Sequence, residues 1–297
     1  MDQGKFKVHI PRHGIELINR PQDIFEILDR HGVFLIRNQS IDIAYFTKIT
    51  NTIGRDFMAY LGMTISRSAA IDDAGTIFPV TNPEHVYAIP LHGEIYYMPH
   101  HPKLLFFYCQ TPAEKGGKTT LCDATTLWKV LPDEARQRFG STPIRYIRYQ
   151  GPDTWRQLYR TESLETVRQI CMTNGVEFDY CSKSDTVITR HTCSAVVETC
   201  RGPAFINNFL PFAEREMASP VPIASVVRFA DDEQHPIPDE LVWTVRRVAE
   251  SLTVAHTWQH GDVMVIDNQT ILHGRTLIED PNRRVLLRMA GSRRQRS

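Results

Sequence analysis

Two short segments, far apart in the chain, constrain its fold more than any other feature. The first reads Leu91-His92-Gly93-Glu94. The second runs from Asp267-Asn268 to His273-Gly274-Arg275, with Arg284 beyond it. Two imidazoles and a carboxylate on one face of a non-haem iron leave the opposite face open for further ligands. A chain that uses all three must bring these segments side by side. An arginine close to such a centre can grip the far carboxylate of a keto acid in a forked pair. Residues two apart on a strand point the same way, so His92 and Glu94 are expected on one face with Gly93 turned away.

The triplet alone is weak. With 12 His and 34 Asp+Glu in 297 residues, about one His-x-acid triplet arises by chance. A second one, His260-Gly261-Asp262, is present. It reads as a turn before the apolar run Val263-Met264-Val265-Ile266, because Gly-Asp is turn chemistry, and it is left outside the metal site. His100 and His101 are adjacent, so a strand would point them to opposite faces; a rim or surface position is expected.

The surrounding sequence makes the constellation specific. Leu91 to Tyr97 is followed by Pro102-Lys103-Leu104-Leu105-Phe106-Phe107-Tyr108-Cys109, then by Thr111-Pro112-Ala113-Glu114-Lys115-Gly116-Gly117-Lys118-Thr119-Thr120, ending in Asp123. Near the C-terminus, Trp258-Gln259-His260-Gly261-Asp262-Val263 leads to Asp267-Asn268, His273-Gly274-Arg275 and Arg283-Arg284-Val285-Leu286-Leu287-Arg288. From roughly residue 30 to 291 the chain resembles the TauD/TfdA-type Fe(II)/2-oxoglutarate-dependent dioxygenases. It looks most like the clavaminate-synthase-like branch, whose ligand carboxylate is Glu. The resemblance implies Fe(II) held by His92, Glu94 and His273, with 2-oxoglutarate and O2 as co-substrates. It implies 2-oxoglutarate binding by Arg284 and Thr119, and a second basic pocket residue in Arg288. Asp267 and Asn268 are expected as turn residues that help orient a ligating histidine, and Arg275 as a structural ion pair.

The same resemblance implies hydroxylation of an unactivated C–H bond, with release of succinate and CO2. The substrate expected is a small amino-acid-derived metabolite (free, cyclic or carrier-bound) of specialised-metabolite biosynthesis. Desaturation, epoxidation and ring closure are the alternatives at the same site. Related halogenases carry Gly or Ala at the carboxylate position, so Glu94 argues against halogenation. Tyr60, Arg67, Tyr96, Asn207 and Asn208 are candidate substrate contacts. A rival from another class is a non-oxidative, cupin-like enzyme using zinc or manganese, which would have no need of an arginine and threonine at co-substrate distance. A binding barrel without chemistry would have no need of the ligand triplet. Neither Gly-x-Ser-x-Gly nor a P-loop is present, which removes the serine-hydrolase and nucleotide-binding readings.

Net charge is zero with a pI near 7.2; nucleic-acid and anionic-membrane partners both call for a basic footprint that is missing here. The six cysteines form no Cys-x-x-Cys, so free thiols and a cytoplasmic setting are expected. No apolar run approaches transmembrane length. Oligomeric state is not legible.

Pattern places helices at Pro21–Leu28, Asp42–Ile53, Ala124–Phe139 with a second start at Pro132, Leu158–Asn174 and Pro238–Thr253. Strands are expected at Gly32–Arg37, His85–Tyr97, Leu104–Tyr108, Tyr146–Tyr149, Thr186–Val197, Val263–Ile266 and Val285–Met289. Ala204–Asn208 resembles the family strand that lines the substrate side of the pocket. The fold class is mainly β with flanking helices: a double-stranded β-helix, or jelly roll. The chain reads as one domain over 1–297, and the resemblance implies a lid-like insertion around 153–220.

Overall fold

Strands buried on both faces give the molecule its layers. The computed structural model describes residues 8–11, 16–37, 40–59, 70–80 and 86–294. A large antiparallel sheet runs in the order β1 (Val33–Ile36), β14 (Val263–Asp267), β5 (Leu104–Thr111), β16 (Arg284–Arg293) and β2 (Gly54–Phe57), with β3 (Ile77–Pro79) also pairing with β16. Facing it is a smaller sheet ordered β13 (Val254–His256), β6 (Thr119–Asp123), β15 (Ile271–Arg275) and β4 (Ile89–His92).

The period-two geometry of a strand sorts the apolar residues into two cores. Val33, Leu35, Leu105, Phe107, Met264, Ile266, Val285, Leu287 and Met289 point inward and pack with Leu121 and Ile271 of the smaller sheet. Their neighbours Phe34, Ile36, Leu104, Phe106, Val263, Val265 and Leu286 point outward. There they meet α1 (Pro21–His31) and α2 (Ile43–Ile53) through Ile24, Leu28, Phe46, Ile49 and Ile53. Double burial explains why these strands read as continuous apolar runs instead of alternating ones.

The outer face of the smaller sheet is covered as well. Leu91, Cys122 and Leu272 pack with α3 (Ala124–Val130), α4 (Asp133–Ser141), α8 (Asp239–Leu252) and α7 (Phe209–Met217). A third sheet, ordered β12 (Ser225–Phe229), β7 (Ile144–Gln150), β9 (Thr186–Cys193) and β8 (Glu177–Cys181), joins this cluster through Ile144, Tyr146, Val227 and Phe229. This layer begins before residue 153 and ends after residue 220. It also contains α5 (Pro152–Tyr159), α6 (Leu164–Thr173) and the hairpin of β10 (Val197–Thr199) with β11 (Gly202–Ala204).

Local chemistry sets most element ends. Pro21 opens α1, and Gly32, at φ 71°, closes it in the left-handed conformation that glycine adopts without strain. Asp42 caps α2 by accepting the Tyr45 amide at 2.7 Å. Three expectations need correction. Leu158–Asn174 is not one helix: Arg160, at φ 52°, ends α5, and Ser163 caps the restart at α6. His85–Tyr97 is not one strand: β4 stops at His92, and a turn follows. In Ala204–Asn208 only the first residue is in a strand; the chain then leads into α7.

Arg288 lies on the helix-covered face of β16. It donates to Thr50 (2.6 Å), Asn51 (2.8 Å) and Thr76 (3.1 Å), and its guanidinium stacks 3.6 Å from the Phe57 ring centre. Among the described residues no helix is long and apolar enough to cross a membrane. Arg288→Ala is expected to lower stability by about 2–4 kcal/mol. Urea unfolding measures that loss, and the KM for 2-oxoglutarate should stay near the wild-type value.

Candidate active site

The site forms where β15 lies between β4 and β6. Register sets His273 opposite His92 on one side and opposite Leu121 on the other. The two imidazole centres are 4.3 Å apart. The His92 ring uses Nδ1 to donate to the Pro90 carbonyl at 2.8 Å, which turns Nε2 toward Glu94, 3.7 Å away. His273 Nε2 lies 3.3 Å from the same Glu94 oxygen. One ligand atom from each residue falls within 4.8 Å of the others, and among the described residues this is the one such group of His, Cys, Asp or Glu able to hold a metal ion.

Two backbone features make that convergence possible. A Cβ at Gly274 would sit 2.6 Å from the Ile89 carbonyl and 2.7 Å from Thr120 Oγ1, so only glycine lets both neighbouring strands close on β15 there. Glu94 reaches His92 through the turn and not through strand alternation. The next residue, Ile95, has φ 64° and is 1% exposed. A left-handed β-branched residue costs about 1–3 kcal/mol and persists only when its surroundings hold it. Asn268 supplies the hold: its Oδ1 accepts the Glu94 amide at 2.8 Å, and its Nδ2 donates to the carbonyls of Glu94 (3.1 Å) and Pro102 (2.7 Å).

A pocket of about 310 Å³ opens over the three side chains. Its barrel wall includes Val80, Phe107, Thr119, Arg275, Arg283 and Leu287. Thr119 Oγ1 accepts the Trp258 indole N–H at 3.0 Å, which leaves its own hydroxyl proton to donate into the pocket. Arg283 is 1% exposed and donates through Nε to the Gly117 carbonyl at 3.0 Å. Burial and the nearby positive charge of Arg275 push its guanidinium down to about 10. Arg275 donates to the carbonyls of Val80 (3.1 Å) and Tyr87 (2.9 Å). The other wall comes from the inserted layer, with Arg148, Asn208, Pro211, Phe212, Arg215 and Ser225.

A family model described as taurine catabolism dioxygenase TauD, TfdA family, matches residues 17–290. The chain belongs to the TauD/TfdA family. It is 25% identical over 278 residues to a clavaminate synthase-like protein of Arabidopsis thaliana, covering 88% of this chain and 82% of that one. It is also 25% identical over 276 residues to the dapdiamide synthesis protein DdaC of Enterobacter agglomerans, covering 86% and 81%. Among solved structures, a taurine dioxygenase from Burkholderia xenovorans superposes with a TM-score of 0.58 at 14% identity, covering 94% of this chain and 86% of that chain. The jelly roll is thus the fold of the family, and the chain is an Fe(II)/2-oxoglutarate-dependent oxygenase. Two imidazoles and one carboxylate within ligand distance of each other fit Fe(II) in chemistry and number.

Within this TauD/TfdA chain the residues expected from sequence fall in different places. His92, Glu94, His273, Thr119 and Asn208 all line the pocket. Arg284 does not. It is exposed, with its guanidinium donating to the Pro281 and Arg283 carbonyls at 2.9 Å. Arg288 is on the opposite face of the large sheet, as described above. The buried arginine in the pocket is Arg283, which was not among the residues expected there. It lies beside the inward-facing residues Val285 and Leu287, and a shift of one residue in a strand exchanges every side chain between faces.

Tyr96 misses the pocket by the same margin. It is buried, donates to the Asn268 carbonyl at 3.0 Å and stacks on His101, while Tyr97 lines the pocket. Asn207 is structural: it donates to Ala195 and accepts the Phe209 amide, both at 2.9 Å. Tyr60 and Arg67 lie outside the described residues. Arg275 is anchored in part by the backbone carbonyls of Val80 and Tyr87. Asp262 follows a left-handed Gly261 and is buried in a two-point pair with Arg37, away from the metal ligands. Asn268→Ala removes the hold on the Glu94 turn. Divalent-metal affinity should fall roughly 10–100-fold, as read by metal titration of the folded variant.

Proposed function

We propose that this oxygenase hydroxylates an unactivated C–H bond of a small amino-acid-derived metabolite, with iron held by His92, Glu94 and His273. One observation carries the co-substrate part of the reading: the buried Arg283 guanidinium and the Thr119 hydroxyl line the same pocket as those three side chains. A buried cation pressed by a second one, Arg275, is a strong site for a carboxylate, because an anion relieves both the desolvation and the repulsion.

Fe(II) with 2-oxoglutarate and O2 supplies the oxidising power, and the co-substrate leaves as succinate and CO2. The protein's own residues bind, orient and exclude. Arg283 pairs with the C5 carboxylate of 2-oxoglutarate, and Thr119 donates a hydrogen bond to it. Phe107 and Leu287 line this part of the pocket with apolar surface, which limits water and strengthens each polar contact. The inserted layer covers the other side as a lid and supplies the substrate wall. The dapdiamide synthesis relative supports a place in specialised-metabolite biosynthesis. Desaturation, epoxidation or ring closure would use the same residues and differ in the fate of the substrate radical. A cytoplasmic setting is part of the proposal, supported by six cysteines without a disulfide.

Arg283→Ala should raise the KM for 2-oxoglutarate at least about 30-fold, the scale for removing one partner of a buried charge pair. Arg284→Ala should leave it within about twofold, since an exposed arginine on backbone carbonyls contributes little. Gly117→Ala should also raise it, because a Cβ there would lie 2.7 Å from Arg283 Cδ. Succinate formation measured against 2-oxoglutarate concentration reads all three. A large effect of Arg284→Ala with none from Arg283→Ala would reject the assignment.

A further inference from the structure

The wall contributed by the inserted layer carries positive charge that the co-substrate reading leaves unused. Arg148 on β7 and Arg215 on α7 both line it, and Glu94 is the one carboxylate lining the pocket among the described residues. The placement on α7 is periodic. Asn208, Pro211, Phe212 and Arg215 follow three- and four-residue spacing, which sets them along one side of a helix, and all four line the pocket. The glutamates flanking Arg215 are engaged elsewhere: Glu214 with Arg246 at 3.7 Å, and Glu216 in a two-point pair with Arg228 at 2.6 Å. Arg215 is therefore not neutralised by its own helix.

Between the arginines lies an aromatic surface. The Arg148 guanidinium is 5.2 Å from the Tyr97 ring centre, and Tyr97 packs 5.7 Å from Phe212. Asn208 adds a polar feature. It is 4% exposed, its backbone N–H donates to the Tyr146 hydroxyl at 2.7 Å, and its side-chain Oδ1 is buried without a hydrogen-bond partner. A buried acceptor left unmade costs about 1–3 kcal/mol, so its place on a ligand pocket wall points to a ligand donor.

We propose that this wall binds an anionic substrate, a deepening that rests on the oxygenase reading above. The carboxylate of an amino-acid-derived molecule docks on Arg148 and Arg215. Its carbon skeleton lies along Tyr97 and Phe212, and one of its N–H groups donates to Asn208. Guanidinium groups suit this task because they present paired donors in a plane that matches a carboxylate.

The test uses the full chain loaded with Fe(II) and 2-oxoglutarate. The probes are N-acetyl-L-amino acids, their methyl esters and carboxamides, and the amines that lack the carboxylate. Substrate-stimulated succinate release and the anaerobic visible difference spectrum are both recorded. Carboxylates should stimulate where the matched esters and amines do not. Arg148→Gln and Arg215→Gln should each raise the KM for the best carboxylate about 10-fold, a modest factor because the wall is partly open to solvent. Arg215→Glu, at an exposed helix position that folding tolerates, should shift preference toward the amines. Equal stimulation by esters or amines, no stimulation by any carboxylate, or an unchanged carboxylate KM in Arg215→Glu would overturn the proposal. If the wild type gives no 2-oxoglutarate-dependent spectrum, the oxygenase reading fails and this one with it. If that spectrum is present and carboxylates do not stimulate, this proposal alone fails.

Discussion

The pairing that sets His92 opposite His273 is the constraint on which the site depends. A slip of one residue between β4 and β15 would turn one imidazole away from the other and leave Glu94 without a partner. Three features hold the register. Gly274 admits close approach from both sides. Leu91 and Leu272 commit their strands to the outer core, while Ile271 commits to the inner one. Asn268, just before β15, grips the backbone of Glu94, just after β4. The strain at Ile95 is sustained because sheet, turn and amide all require the same geometry.

Buried charge shapes the rest of the pocket. Arg283 and Arg275 share one end of it, and burial together with their mutual repulsion lowers the pKa of Arg283. Behind them, Asp262 is fully buried. Burial alone would raise its pKa, but hydrogen bonds from His256, Arg37 and the Gln259 amide outweigh that and hold it below its ordinary value. The His256 ring meets Trp258 edge-on at 4.7 Å, and Trp258 donates to Thr119. A salt bridge near the barrel surface is thereby linked, contact by contact, to a hydroxyl in the pocket.

Much of this was legible in the sequence, and the misses share a cause. Jelly-roll class and the three clustered side chains were expected from the strand pattern and the family resemblance. Periodicity marks helices such as α2 and α8, because one face is apolar. Strands buried on both faces carry no such mark: Leu286 and Leu287 are equally apolar, so the pair alone does not say which of Arg283 and Arg284 faces the pocket. Tyr96 was exchanged for Tyr97 because the expected strand ends at His92 and a turn carries both tyrosines. Arg148 and Arg215 gave no signal, because an arginine on an amphipathic helix or on a half-exposed strand reads as ordinary surface until the fold brings both to one cavity. A usable clue did exist for Arg283, since odd-numbered Val285, Leu287 and Met289 form an uninterrupted apolar row, while the even row carries Arg288.

The central claim is that His92, Glu94 and His273 hold iron in a pocket built for a keto acid. Its most direct test is the anaerobic visible difference spectrum on adding 2-oxoglutarate to the Fe(II)-loaded chain, recorded beside a folded His273→Ala control. The account predicts a weak charge-transfer band in the wild type that is missing from the control. No band in a folded wild type with demonstrated metal binding, or the same band in both proteins, would contradict it.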